Sequence, residues 1–502
     1  MSTLRTDFLQ TTDSSVTVPV ASLANLPPAN YFKDSQAIIV ASVTALRALD
    51  KTVNARAATM GYYAVNDGGQ GNYYLDEADL TSLDNGGTII VATDGGRWKL
   101  LVENKVINVL QFGAKADDAT DNAGSFTSAA TALSAQGNGK LYFPRGVYRT
   151  STSITVGGSG VLVAGECRNG TILKNTTTNL PTLVVTTGSN NITLQDFTLD
   201  RTANGTFGGD GIAFAKGGVA DGFIYRIYAK NNYHGVAVGG TGYSIMEDIF
   251  CERNFGNGLD ITNSNAFTTC QWYIRNVLCQ LNALDGVRIQ SVATTPVGGH
   301  MALGELNGVR TFANSGRGLI VLGTPQVGVY SLRAKGCFFG EDGGDEVYLD
   351  TYGNLHTFND CFIELGGTST TGPLYATPPT FNSWGVMVTA NTPDVSINGG
   401  IINGCANAGI YYASPTVGGL RVNGTILSNN GNGGAVGPSF NSGVVVIAGT
   451  ITCVGVRSYG QENGSYNAAT GGDSFVGCDF RGNSLAVFGG NVAGNVTAGN
   501  RP

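Results

Sequence analysis

The residues best suited to chemistry are acids that recur at repeat-length intervals. When the chain is aligned on Ile249, Val277, Val309 and Cys337, one row reads Ile245, Tyr273, Glu305, Arg333 and Thr357. An aromatic face, an acid and a cation then stand side by side. A second acidic cluster, Glu341-Asp342-Gly-Gly-Asp345-Glu346, follows one segment later. Cleaving a glycosidic bond takes two carboxyl groups, one to donate a proton and one to act as base or nucleophile. Separations of about 5–5.5 Å suit retention and about 6.5–9.5 Å suit inversion. Glu305, Asp342 and Asp345 are therefore the candidate catalytic residues, with Tyr273 to stack a sugar and Arg333 to bind an acidic one.

A rival row pairs Asp260 with Arg288, with Glu252 close by on the other side of a turn. A surface ion pair is the simpler reading of that row, and substrate binding the sharper one. A column of Asp210, His234, Asn257, Asp285 and Arg317 just precedes it, and His234 is expected to be exposed there. Trp384 is a candidate stacking platform, or equally a hydrophobic lid. No CxxC pair occurs among the nine cysteines and there are three histidines, so neither a metal site nor a cofactor is expected. Phosphate-loop, GxSxG and HExxH motifs are absent.

The elements that would position these residues show as a repeat. Glycine followed by an aliphatic residue recurs at Gly211, Gly235, Gly258, Gly286, Gly318, Gly385 and Gly409, mostly at 23–28-residue intervals. The segments have strand composition and no helical period, which fits the coils of a parallel β-helix. Coils stack at about 4.8 Å, so acids on neighbouring coils fall within catalytic reach of each other. Asn231, Asn232, Asn254, Asn282 and Asn314 are expected at turns, in the left-handed conformation and hydrogen-bonded along the stack. Two insertions, Ser291–His300 and Gly366–Trp384, bracket the acidic zone.

Composition agrees. The chain has 502 residues, 74 of them glycine, and only 13% are charged. So much glycine rules out long helices, and the aromatic content argues against disorder. The net charge of −7 without a basic run makes nucleic acid an improbable partner. No apolar stretch is long enough for a membrane span, and Met1–Gln10 does not read as a signal peptide. Buried free thiols are expected from the scattered cysteines.

Upstream, Asp121–Leu133 has one apolar helical face, suited to cover the open end of the stack, and Leu141–Pro144 reads as a first strand. A short helix is expected at Ser42–Asp50, followed by strand and turn signals. Residues 1–30 read as an extended segment, 31–103 as a small α+β neck, 104–150 as an opening motif with its capping helix, and 151–502 as the solenoid.

Ile107-Asn-Val-Leu-Gln-Phe-Gly-Ala-Lys-Ala-Asp-Asp-Ala-Thr-Asp121 and Gly139-Lys-Leu-Tyr-Phe-Pro-Arg-Gly-Val-Tyr148 resemble the start of the pectate-lyase-like superfamily of right-handed parallel β-helices. Gln111 and Ala116 depart from its usual Asp and Gly. Residues 61–100, with Asp67-Gly-Gly, Asn85-Gly-Gly and Asp94-Gly-Gly-Arg-Trp98, resemble a segment found ahead of that motif in phage tailspikes. The resemblance implies an all-β, homotrimeric tailspike in the virion tail that cleaves a bacterial surface polysaccharide. It would be made in the host cytosol, released by lysis and attached through its N-terminus to other tail proteins. A hydrolase is expected, with a non-catalytic glycan adhesin or a polysaccharide lyase as alternatives. The pectate-lyase calcium ladder is not found. Of the polygalacturonase motifs only fragments occur, at Tyr233-His234-Gly235 and Arg288-Ile289-Gln290.

Overall fold

The computed structural model describes residues 36–202, 208–215, 219–263, 269–292, 300–366, 383–414, 418–431, 442–461, 463–467, 473–481, 483 and 486–490, plus the short strands Phe8–Gln10 and Thr17–Pro19. Most of both predicted insertions, 293–299 and 367–382, lies outside them. The chain forms two compact units, Met1–Ala114 and Lys115–Pro502.

The first unit holds a five-stranded sheet in the order Ala37–Val40, Arg56–Thr59, Gly71–Leu75, Arg97–Leu100, Ile89–Val91. The helix Val43–Arg47 packs on it, and Ser42 caps that helix through its side chain. Val43, Leu46, Tyr73, Ile90 and Trp98 close the core. Gln111 Nε2 donates to Gln70 O at 2.9 Å, and Tyr63 Oη donates to Gly113 O at 2.9 Å.

The second unit is a parallel β-helix in which every coil contributes a strand to each of three sheets. The first sheet runs from Gly139–Phe143 to Ser474–Val476, the second from Asp117–Asp121 to Arg457–Tyr459, and the third from Ile154–Val156 to Ala486–Gly490. Alternate residues point inward, and parallel register stacks like on like. In the third sheet Leu183, Ile212, Val236, Leu259, Val287, Leu319, Val347, Val386 and Ile410 form one fully buried column. Each such side chain stabilises the fold by about 1.5–3 kcal/mol.

The recurrent glycines have a packing cause. A Cβ on Gly258 would lie 2.7 Å from Gly286 O of the next coil, and one on Gly235 would lie 2.7 Å from Gly258 O. The backbones meet too closely for any side chain, so the glycine recurs with the coil.

Each corner between the first and second sheets turns on one left-handed residue: Arg226, Asp248, Asn276, Gly308, Gly336 and Asp360 in successive coils. At the corner between the second and third sheets the sequence expectation needs correcting. Asn231 is left-handed, but in the next coils the left-handed residue is the one before the asparagine: Arg253, Leu281 and Ala313, then Glu341 before Asp342. This frees the buried Asn232, Asn254, Asn282 and Asn314 to hydrogen-bond from coil to coil.

Helix Ala123–Ala135 buries Phe126, Ala129, Ala130 and Leu133 and packs on Gly139–Phe143 and Ile154–Val156 at the open end of the stack. Phe126 meets Phe143 edge-on at 5.2 Å. All nine cysteines are free thiols, and all but Cys167 are buried.

Candidate functional site

The parallel register fixes what each sheet shows to solvent. On the first sheet Ile245, Tyr273, Glu305, Arg333 and Thr357 are direct partners on consecutive coils, the row the sequence spacing predicts. Tyr243 joins them, with its ring 5.6 Å from that of Tyr273.

Asp342 and Asp345, the acids grouped with Glu305 as candidate catalytic residues, do not face the solvent beside it. Asp342 is fully buried at the corner between the second and third sheets, where it takes the next rung of the asparagine ladder. Its Oδ1 accepts from Asn314 N at 2.7 Å and Asn314 Nδ2 at 2.9 Å, and its Oδ2 accepts from Thr311 Oγ1 at 2.8 Å. Asp345 is 3% exposed and accepts from Trp384 N and Arg317 Nε, both at 3.0 Å. Burial raises the pKa of both carboxyls, that of Asp342 to about 6. Both point into the wall and are spent on its hydrogen bonds, so a catalytic trio of Glu305, Asp342 and Asp345 is not formed.

The third sheet carries the other predicted residues. Its outward column reads Ala213, Ala237, Asp260, Arg288, Ile320, Tyr348, Met387 and Tyr411. Two alanines followed by a charged pair make a step in the surface. The step is a cleft of about 430 Å³, floored by Ala213 and Ala237 and walled by Asp210, Tyr233, His234, Asp260, Thr262, Arg288 and Gln290.

The polar groups of this cleft are held in fixed orientations. Arg288 grips Asp260 with two parallel bonds, Nε to Oδ1 at 3.0 Å and Nη2 to Oδ2 at 2.7 Å. Thr262 Oγ1 donates to Asp260 Oδ1 at 3.2 Å. Asn257 N donates to His234 Nδ1 at 2.8 Å, which leaves the ring proton on Nε2. That nitrogen lies 3.4 Å from Asp260 Oδ2. Asp210 Oδ1 accepts from His234 N at 3.2 Å, and the Tyr233 ring leans on the imidazole with centroids 4.4 Å apart. His234 is 7% exposed, contrary to its expected exposure, because the next coil's backbone and Asp260 close over it.

Asp210 and Asp260 thus face one cleft from coils two apart, about two strand spacings or roughly 9.6 Å along the axis. Glu252, expected beside Asp260, lies on the second sheet and is bound by Tyr228 and Gln280. Beyond the cleft the same face continues with Arg317, whose guanidinium lies 4.2 Å above the Tyr348 ring. Trp384 follows, with its ring 5.0 Å from that of Tyr411. The outward alanines at 213 and 237 are the signal by which the sequence could have located the cleft.

Residues 39–103 match the phage tail protein small four-stranded beta-sheet domain. A stretch of 137 residues, 26% of the chain, is 33% identical to the Mu-like prophage FluMu defective tail fiber protein of Haemophilus influenzae, and the chain spans 21% of that relative's length. Among solved structures, the A-module of the mannuronan C-5 epimerase AlgE6 from Azotobacter vinelandii is similar with a TM-score of 0.55 and 16% identity, over 79% of this chain and 99% of that one. The tailspike protein gp49 of Acinetobacter baumannii bacteriophage Fri1, a capsular polysaccharide depolymerase, is similar with a TM-score of 0.48 and 15% identity, over 93% and 76%. The chain thus carries a phage tail small four-stranded beta-sheet domain at residues 39–103, and from Lys115 onward it is a parallel β-helix.

Proposed function

We propose that this protein binds and depolymerises a bacterial surface polysaccharide by endo-glycosidic hydrolysis, in the third-sheet cleft. The observation that carries the reading is the facing of Asp210 and Asp260 into one cleft with His234 between them. Two acids lining one cleft are what an inverting displacement uses, with water and sugar between them. Asp260, gripped by the Arg288 fork, is the base that activates water, and Asp210 is the proton donor. Tyr233 and the more distant Tyr348, Trp384 and Tyr411 offer ring faces along the same side of the solenoid, which suits a long polymer. A polysaccharide-modifying enzyme, the AlgE6 module, uses the same fold. The working form is a homotrimer that attaches to other tail proteins through its N-terminus. A row of outward side chains on the second sheet, Tyr228, Phe250, Leu278, Arg310, Phe338, Phe362 and Ile401, apolar except for Arg310, supplies a face for self-association.

The test is to incubate the protein with surface polysaccharides of candidate hosts and weigh the products. Discrete oligosaccharides heavier by one water per cut are expected, and Asp210→Asn should cut at least 100-fold more slowly while still binding. Unsaturated ends would make the protein a lyase. Binding without products would make it an adhesin.

A further inference from the structure

We propose that the first sheet carries a second, non-catalytic site for a polysaccharide chain, centred on Tyr243, Tyr273 and Arg333. The proposal rests on the reading of the ligand as a bacterial surface polysaccharide, and not on where that chain is cut. Cleavage in the third-sheet cleft leaves this row without a part in the reaction, yet its residue types are those that recognise sugars.

Phe223, Tyr243 and Tyr273 stand on three consecutive coils, half-buried on the outer face of the sheet. Their rings form a ladder, with centroids 6.2 Å apart from Phe223 to Tyr243 and 5.6 Å from Tyr243 to Tyr273. The Arg275 guanidinium lies 5.9 Å from the Tyr273 centroid. Tyrosine joins a flat apolar body to a polar tip, so it can cover the C–H face of a pyranose and bond its hydroxyls.

The next two coils place Glu305 and Arg333 directly beyond Tyr273 in register. On the third-sheet side guanidinium and carboxylate are locked together, as in Arg288 with Asp260 and Arg317 with Asp345. Glu305 and Arg333 are neighbours, yet neither is in an ion pair among the described residues. A carboxylate acceptor and a guanidinium fork thus stand available beside an aromatic platform. Sugar hydroxyls both donate and accept, so they satisfy both groups at once.

The surface beyond stays polar. The row continues with Thr357, Ser396, Arg421 and Thr452. Beside it Asn359, Asn398 and Asn423 form an amide ladder, with Nδ2-to-Oδ1 bonds of 2.9 and 2.8 Å. The largely apolar row of the second sheet suits a dry contact with another protein chain, whereas a straight run of hydroxyls and amides suits a hydrated polymer lying along the axis. Two sites on one protein hold a long polymer more tightly than either does alone, so the first sheet retains the polysaccharide while the cleft acts.

The experiment measures binding of purified capsule and lipopolysaccharide polymers from candidate hosts by titration calorimetry, with Asp210→Asn in every protein so that the polymer stays intact. Adding Tyr243→Ala and Tyr273→Ala should weaken binding about tenfold, whereas Tyr243→Phe with Tyr273→Phe, which keeps the rings, should stay within about twofold. Arg333→Ala, at an exposed position outside the ring ladder, should weaken binding about threefold. The proposal is overturned if the two Ala substitutions at the tyrosines leave affinity within about twofold, or if no polymer of the panel binds. Weakened binding in these variants of a protein whose parent releases no oligosaccharides would refute the hydrolysis reading and support this one.

Discussion

Replacing Asp342 by Asn should stabilise the solenoid above pH 7 and leave it nearly unchanged at pH 4. Asp342 stands where the preceding coils carry Asn232, Asn254, Asn282 and Asn314, and an Asn oxygen would accept the same bonds from Asn314. The carboxylate adds a buried charge. Its neighbour Glu346 is also fully buried, accepts from Asp342 N at 3.1 Å, and has its pKa raised by burial and by Asp342. Burial lifts the Asp342 pKa from 3.8 to about 6. A carboxyl raised in the folded state binds protons more tightly there than in the unfolded chain. Stability therefore falls as pH climbs from about 4 to about 6, and the penalty is complete above that. At 1.36 kcal/mol per pH unit the cost is about 3 kcal/mol. Spread over the unfolding entropy of a unit this long, that is roughly 4 °C in melting temperature. Differential scanning calorimetry of both proteins at pH 4 and pH 8 reads it directly. An equal gain at both pH values, or a loss at pH 8, would refute the account of Asp342 as a charged rung in a neutral ladder.

Gly258→Ala should destabilise by about 1–3 kcal/mol, read as a lower melting temperature, because its Cβ would press on Gly286 O at 2.7 Å. Leu259→Ala removes one member of a fully buried column and should cost about 2–5 kcal/mol in denaturant unfolding. Glu305→Gln should keep cleavage within twofold of the parent in the product assay, whereas Asp210→Asn should not, because Glu305 stands on the first sheet, away from the third-sheet cleft. Light scattering should give a trimer at micromolar concentration, and Phe338→Lys with Phe362→Lys should shift it toward monomer if the second-sheet stripe is the contact.

The fold was legible because a solenoid repeats its physics. One coil's requirements, a glycine where backbones touch, an aliphatic residue beside it and a polar residue at the corner, recur in every coil and surface as a periodic signal. Period and parallel register together also gave the row Tyr273, Glu305, Arg333, since a shift of one residue would have turned its side chains inward. The helix Ala123–Ala135 showed in its apolar face, although its start moved two residues from the predicted Asp121, whose carboxyl caps Ala123 N from outside.

The site was less legible, for a physical reason. Linear spacing says which residues share a column, but not which sheet a column belongs to or whether a corner residue points out or in. Asp342 and Asp345 read as candidate catalytic acids, yet the corner turns them into the wall, where neighbouring coils supply their donors. His234 read as exposed, yet Asn257 and Asp260 of the following coil close over it. Sequence by itself determined the solenoid, its register and its tail domain, because those follow from repeated local preferences. Only the tertiary structure decided where a cleft opens, because a cleft depends on contacts between coils, here two small outward alanines against a charged pair.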